Sequence, residues 1–485
     1  MSREMTFSEE CIVVVKSFEE VPGWLIRTLP EVSWVELDTQ SRGSIGDSLL
    51  KALDSLSPKA GNQPLRVIFA DTLSGIHGID RVSVATPQFV EDWTFAPESL
   101  AVDVVDPRAR VIDPRVITGA FVFGDLRDFR EALVNAITSL SREEVADPVW
   151  LALRNYASAQ DHPLEYFLDT EWVDVGHIDS LFTYRRTILA GRVTNNFSEK
   201  GLFIEKSSVH KEKLERESNW FGSVSPELFE FLPRVSLGSK EGYSIQFLKG
   251  LSLSEVLLFS EADQMTWDWI VSALGQWFEK TESFTNPTPD ESVSDKWFRE
   301  HFKSRISQLW DWAEVDPGLK FGLSSVDIES LDSEINRLSQ ILGSSKSVLI
   351  HGDLILSNIM VMSASRSIKL IDPRGGFEVE SIYGPQLYDW AKLAQGIWGR
   401  YEEIVAGHFT LEKSLDNNGV AFWADSSRDA NYSALETWFL SKCPDTSNSI
   451  KLGGLLLLSA CPFHFEDRDR VGAMTLMGLK MLEIR

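Results

Sequence analysis

The chain has 485 residues, 43% hydrophobic and 25% charged, with 47 Lys and Arg against 72 Asp and Glu for a formal charge of −25. That length suits two or three domains with sizeable cores, and the acidic balance argues against nucleic acid as a partner, because such binding rests on clustered Lys and Arg. Three scattered cysteines (Cys11, Cys443, Cys461) fit a reduced, cytoplasmic chain, and no stretch is apolar for long enough to predict a membrane span or a signal-peptide core.

In chain order, "CIVVV" (11–15), "LRVIFAD" (65–71) and "ITGAFVFGD" (117–125) are rich in Val, Ile and Phe and predict buried strands. "SIGDSLLKALDSL" between the first two has helical spacing, with Ser44 or Ser48 as its cap. The alternation implies an α/β layer with a mostly parallel sheet. From about residue 185 the rhythm changes: "TYRRTILAGRVTNNF" and "GLFIEKSS" predict hairpin strands, "VHKEKLERESNWF" a charged helix, and "GYSIQFLKG" (242–250) a further strand. Helical patterns then dominate in "MTWDWIVSALGQWFEKTESF", "KWFREHFKSRISQLWDWAE" and "SSVDIESLDSEINRLSQIL", with loops expected at 285–295 and 316–325. "LGGLLLLSACPFHF" reads as a buried helix, and the 16 Trp residues, mostly at helical spacing, read as core.

The chemistry concentrates in "VLIHGDLILSNIMV" (348–361) and "IKLIDPRGGF" (368–377). Read alone, His-Gly-Asp is an ordinary turn in which Gly352 supplies a positive φ, and Asp372 ends a strand because Pro373 follows. Taken together the residues fit phosphoryl transfer, which needs one carboxylate to orient the attacking hydroxyl and an Asn with a second carboxylate to hold Mg²⁺. Asp353 and Asn358 have four residues between them, the spacing of a kinase base and its metal-binding Asn, and Asp372 follows at a strand end. Such a site also needs a strand Lys and a helix Glu to hold it. Lys206 and Glu217 stand in that order, with Glu215 the weaker alternative; any exposed Lys before an acidic helix gives a similar pattern. The turn "VTNNFSEKG" before Lys206 lacks a Gly-rich signature, and His351 is expected to be structural, with Asp353 the base.

On these residues the second half of the chain resembles the aminoglycoside phosphotransferase and choline kinase-like family, small-molecule relatives of protein kinases. "HGDLILSNIM" is similar to its catalytic loop and "IDPRGG" to its metal-binding segment; "KLERESNW" and "YGPQLYDWAKL" are similar to kinase-like domains encoded with bacterial surface-polysaccharide genes. The resemblance implies Asp353 as base, Asn358 and Asp372 as Mg²⁺ ligands and Lys206 as phosphate clamp, with Asp389 bracing the catalytic loop. From the sequence alone Asp389 is equally an ordinary acid in a helix's first turn. Two departures stand out: Gln246 replaces a common acidic residue, and Arg374 replaces an apolar one, where it would position either Mg²⁺ or an anionic acceptor.

In the first half, Asp71 and Asp174 each close an apolar run about a hundred residues apart and could share a divalent cation; two strand-terminal turns would look the same. His177, beside Asp174, has no fixed partner. "SRGSIGDSLLKAL", "RVIFADTL", "ITGAFVFGDLRDFREAL" and "WVDVGHIDSL" resemble, in order, the nucleotidyltransferases that make sugar nucleotides, where the Asp71 and Asp174 positions hold the catalytic metal. Ten residues precede "CIVVV" and none forms the Gly-rich phosphate cradle of that family, so the expected domain is truncated, with a vestigial site and no nucleotidyl transfer.

The expectation is therefore an α/β chain: a truncated nucleotidyltransferase-like α/β sandwich at 1–187, then a bilobal protein-kinase-like α+β domain with an N-lobe at 188–250 and a mostly helical C-lobe at 251–485. It would phosphorylate a hydroxyl of a small sugar or polysaccharide precursor with Mg²⁺ and ATP, GTP being the alternative nucleotide; homo-oligomerisation is left open. The rival expectations are a non-catalytic nucleotide-sugar-binding or scaffold protein and a bifunctional nucleotidyltransferase and kinase.

Overall fold

The computed structural model describes residues 11–15, 32–36, 44–56, 64–69, 72–85, 116–139, 147–160, 164–174, 181–182, 184–185, 195–200, 202–208, 211–237, 242–260, 262–286, 291–315, 328–376, 381–413, 420–424 and 429–484. Asp71, His177 and the loop expected at 316–325 lie outside them. The chain divides into two units, Met1–Ile188 and Leu189–Arg485, each a mixture of helix and sheet.

In the first unit, β1 (Cys11–Val15) and β2 (Val32–Glu36) pair in parallel, and α1 (Ile45–Ser55) follows with Ser44 as its cap, its hydroxyl accepting from the Asp47 N–H at 3.0 Å. After β3 (Leu65–Ile68) and the short β4 (Thr72–Leu73) come β5 (Arg81–Ala85), β6 (Val116–Phe123), α2 (Leu126–Ser139), α3 (Pro148–Ala159), β7 (Glu165–Leu168) and β8 (Val173–Asp174). The main sheet runs β3–β6–β5–β7. Strands β3, β5 and β7 share one direction, but β6 runs against it between β3 and β5, so two of the three pairings are antiparallel. This corrects the mostly parallel sheet expected from the alternation. The reason lies in β6, which is buried at every position. Ile117, Phe121 and Phe123 face a core completed by Phe129, Leu133 and Tyr156 of the helices, while Ala120 and Val122 meet Ile76 on the other face. A strand apolar on both faces gains most at the centre of a sheet, and period-2 patterning carries no information about strand direction.

The second unit opens on an antiparallel sheet, in order β11–β12–β10–β9, from β9 (Asn195–Lys200), β10 (Phe203–Ser208), β11 (Val235–Ser236) and β12 (Gly242–Gln246). Between β10 and β11 lies α4 (Lys211–Ser223), whose buried stripe is Leu214, Glu217, Trp220 and Phe221. The spacing is that of an amphipathic helix, with one acid inside the apolar stripe. Strand β10 is anomalous in the matching way: Ile204 and Lys206 both point inward, and Lys206 is 1% exposed. Two buried opposite charges on adjacent elements predict a pair.

The helical part begins with β13 (Leu251–Ser252) and α5 (Leu253–Phe259), started by a capping box between Ser252 and Glu255. Next is α6 (Gln264–Glu282), capped by Asp263, which buries Trp267, Ile270, Leu274, Trp277 and Phe278. Then come α7 (Glu291–Val315) and α8 (Ile328–Ser344). Helix α7 starts inside the loop expected at 285–295; Pro289 is the last proline before it, and nothing after that residue bars a helix. The hairpin β15 (Ile359–Met362) and β16 (Ser367–Leu370) pairs with β13, and β14 (Ser347–Leu349) pairs with β17 (Tyr383–Pro385). Beyond them lie α9 (Gln386–Ile397), α10 (Tyr401–Val405), the hairpin β18 (Phe409–Lys413) and β19 (Val420–Ala424), then α11 (Asp429–Lys442), α12 (Thr446–Ala460) and α13 (Arg468–Leu482). "LGGLLLLSA" is the buried body of α12, as expected. Among the described residues no helix is long and apolar enough to cross a membrane.

Candidate active site

Lys206 reaches from β10 to two carboxylates. Its Nζ donates to Glu217 Oε2 at 2.7 Å and to Asp372 Oδ1 at 2.8 Å. Burial disfavours the ammonium, but the charges of Asp372 and then Glu217 outweigh it and hold the Lys206 pKa above its ordinary value. Glu217 is 1% exposed and also accepts from the buried Tyr243 hydroxyl at 2.9 Å. Lys213, one turn earlier on α4, stands 3.7 Å from its other oxygen. Glu215 is exposed on the outer face.

The segment from β14 to β15 is the His-Gly-Asp loop, and its apparent plainness hides six fixed contacts. The backbone N–H groups of His351 and Gly352 donate to the two oxygens of Asp389, at 2.7 and 2.9 Å. His351 Nε2 meets the Ile371 carbonyl at 3.0 Å and Nδ1 accepts from the Asp353 N–H at 3.3 Å. That pattern requires the proton on Nε2, and full burial keeps the ring neutral, its pKa lowered to about 4. Asn358, in a single 3₁₀ turn, donates from Nδ2 to the Asp353 carbonyl at 2.8 Å. Further along, the Leu356 N–H donates to Glu402 of α10 at 3.2 Å.

The segment after β16 is laced to this loop. Both Arg374 and Gly375 donate their N–H groups to the His351 carbonyl, at 2.8 and 3.0 Å. Gly352 (φ +78°) and Gly375 (φ +66°) lie against each other, and a Cβ on Gly352 would collide with the Gly375 carbonyl. Here glycine is required by both conformation and space. Asp372 itself sits at φ 57°, an uncommon state for a residue with a side chain. Trp220 of α4 donates from Nε1 to the Ile350 carbonyl at 2.8 Å, so the helix that carries Glu217 is tied to the strand end before His351.

Asp353 has two cationic neighbours. Arg374 lies 3.0 Å from its Oδ2 and Lys392, one turn after Asp389 on α9, lies 3.1 Å from its Oδ1. Burial alone would raise the carboxyl pKa; the Arg374 and Lys392 charges override it and hold the group well below the usual carboxylate range. Asp389 is pushed the other way, up to about 7, by burial against its two backbone bonds.

The structure thus brings Lys206, Glu217 and Asp372 into direct contact, and Asp353, Asn358 and Asp389 into one hydrogen-bonded loop. Gln246 ends β12 and accepts from the Arg234 N–H at 3.2 Å. Lys392, Trp220 and Glu402 were not singled out from the sequence. Only Lys392 left a signal there, three residues from Asp389 and so on the same side of a helix.

As ligands for Mg²⁺, Asn358 and Asp372 offer hard oxygen donors. Asn358 uses its amide nitrogen on the Asp353 carbonyl, which leaves its side-chain oxygen as an acceptor, and Asp372 Oδ2 has no partner among the described residues. Both fit a cation. Among the described residues no cluster of three or more His, Cys, Asp or Glu could hold a metal ion. In the first unit, Asp174 is buried on β8, and its register partner on β4 is Thr72, the residue after Asp71.

No protein-family model matches the sequence, and no curated protein does. Among solved structures the chain is similar to a glucosamine kinase in complex with glucosamine, ADP and inorganic phosphate (13% identity over 55% of this chain and 68% of that one, TM-score 0.34). It is also similar to a choline kinase from Cryptosporidium parvum (12% identity, 63% and 96%, TM-score 0.32) and to an ethanolamine kinase from Plasmodium vivax (12% identity, 72% and 96%, TM-score 0.31).

Proposed function

We propose that residues 188–485 form a kinase that transfers the γ-phosphoryl group of ATP, or GTP, to a hydroxyl of a small sugar or polysaccharide precursor. The observation that carries this reading is the buried Lys206, bonded to both Glu217 and Asp372. A strand Lys held by a helix Glu and set beside a metal-binding carboxylate is what nucleotide phosphates require, because phosphoryl transfer depends on positioning and charge neutralisation more than on covalent chemistry.

In the mechanism, Lys206 aligns the phosphates while Glu217 and Tyr243 fix its position. Asn358 and Asp372 would hold Mg²⁺, which when bound neutralises charge on the transferring group. Asp353, ionised at neutral pH, accepts a hydrogen bond from the acceptor hydroxyl and orients its oxygen toward the γ-phosphorus. As the new O–P bond forms and the bond to the β–γ bridging oxygen breaks, the hydroxyl proton passes to Asp353 and ADP departs. A low carboxyl pKa makes Asp353 a weak base, which suffices where the transition state is loose and the nucleophile needs orientation more than activation. His351 takes no proton; it holds the loop.

The test is paired. Asp353→Asn should cut turnover by about 10²–10⁴-fold while the thermal midpoint still rises with Mg–ATP, and Asp372→Ala should abolish that rise. Retention of most turnover by Asp353→Asn would show the base assignment to be wrong.

For residues 1–187 we propose a nucleotidyltransferase-like domain that binds a sugar phosphate or nucleotide sugar without transferring a nucleotide. The buried carboxylate of Asp174 at the end of β8 supports this reading. Asp174→Ala should then remove a midpoint shift caused by a nucleotide sugar and spare the one caused by Mg–ATP; pyrophosphate release from NTP and sugar phosphate would refute the absence of transfer.

A further inference from the structure

The surroundings of Asp353 are more cationic than its own charge requires. Its two oxygens are taken by two cations from different elements, Arg374 and Lys392. One would neutralise it. The second leaves local positive charge in a chain whose formal charge is −25. Lys392 is also expensive to place there, since its side chain is only 13% exposed and an ammonium gives up strong hydration on burial.

The same charge extends along α7. His301 stacks on Trp297, ring centroids 4.7 Å apart. Its pKa is lowered to about 4, first by burial and then by the charges of Arg305, Lys392 and Arg374, so those three cations lie within its field. Arg305 covers the face of Phe463 at 4.5 Å, and no carboxylate pairs with it among the described residues. The Arg374 side chain is 50% exposed. A guanidinium presents its donors as a planar fork that matches two oxygens of a phosphate or carboxylate.

We propose that the acceptor carries its own anionic group, a phosphate or a carboxylate, bound by Arg374 and Lys392 next to the hydroxyl that Asp353 orients. This rests on the kinase reading and deepens it. The two cations are released from Asp353 toward the incoming anion, so acceptor binding frees the carboxylate for the hydroxyl. A neutral sugar supplies no such exchange, and a quaternary ammonium acceptor meets like charge.

The experiment measures ADP formation by the full chain with Mg–ATP and matched acceptors: glucose, glucose 1-phosphate, glucuronate and choline. The wild type is compared with Arg374→Gln, and the Mg–ATP midpoint shift is recorded for both. The expected result is at least a tenfold higher kcat/KM for glucose 1-phosphate or glucuronate than for glucose, none for choline, and loss of that preference in Arg374→Gln through a raised KM with the Mg–ATP shift retained. The better of the two anions identifies phosphate or carboxylate as the group recognised. Turnover of glucose or choline at the rate of the anionic pair overturns the proposal. So does an unchanged preference in Arg374→Gln, or failure of both anions in protein that binds Mg–ATP. The kinase reading fails separately, by the absence of any midpoint shift with Mg–ATP or Mg–GTP.

Discussion

Replacing Glu217 by Ala tests whether the Lys206 pair, proposed above as a phosphate clamp, is also a structural keystone. Two bonds are lost at once. The charge-assisted bond from Lys206 at 2.7 Å contributes ~1.5–3 kcal/mol, and the Tyr243 hydroxyl, 0% exposed, is left without its acceptor at a cost of ~1–3 kcal/mol. Lys206 keeps Asp372, whose side chain is 42% exposed and whose attraction is therefore partly screened. The expected loss is ~3–5 kcal/mol, in line with breaking one side of a buried ion pair. Glu217→Gln retains one acceptor and should lose about half as much. The double variant Lys206→Met, Glu217→Leu should be less destabilised than the sum of its singles, because no buried charge is left behind. Hydrogen exchange of peptides covering Phe203–Ser208 and Lys211–Ser223 reads the opening free energy of this region directly, without assuming that the whole chain unfolds in one step. If amide protection in Glu217→Ala matched wild type within ~1 kcal/mol, the pair would not hold these elements and the reasoning would fail.

Gly352→Ala should be among the most damaging single-methyl additions: left-handed backbone costs about 1–2 kcal/mol and the collision with the Gly375 carbonyl adds to it. A lowered urea midpoint together with lost turnover is expected, and a wild-type midpoint would refute the close approach. Asp389 and Glu402 are both pushed up to about 7 by burial. Between their ordinary values and 7 the folded state binds protons that the unfolded state lacks, so stability is greatest on the acid side of this window and falls as pH rises through it. The urea midpoint should therefore drop between pH 5 and pH 8, and the double variant Asp389→Asn, Glu402→Gln should flatten that slope; an equal slope in the variant would show that these carboxyls do not carry it. Trp220→Phe keeps the ring's packing but removes the donor to Ile350. It should raise KM for ATP about threefold or more as α4 loosens from the loop, on the ~0.5–1.5 kcal/mol worth of one hydrogen bond, and an unchanged KM would leave that bond without a positioning role.

What the sequence disclosed and what it concealed divide along a physical line. Asp353, Asn358 and Asp372 stood out because local spacing and strand ends are written in the chain, and Glu217 because it follows Lys206 on the next predicted helix, in the order such a site needs. Asp389 was ambiguous, since an acid in a helix's first turn has a local explanation; only the fold shows that its oxygens receive the His351 and Gly352 N–H groups. Glu402 against Leu356 is a long-range choice that nothing in its own neighbourhood marks, and Lys392 is marked only by its place three residues after Asp389, which does not reveal Asp353 as its partner. The same holds for β6. Its apolar run predicted a buried strand, but direction within a sheet is set by connections and partners, which the residues of one strand do not encode.

Lys206 repays a count of hydrogens. An ammonium has three N–H donors and no acceptor, and Glu217 and Asp372 engage two of them. The third N–H has no acceptor among the described residues. In the proposed kinase it would donate to one phosphate oxygen without the Glu217 or Asp372 bond being broken. Lys206→Arg would carry the same charge with five donors in a rigid plane, and no rotation of that plane could serve Glu217, Asp372 and a phosphate from one point.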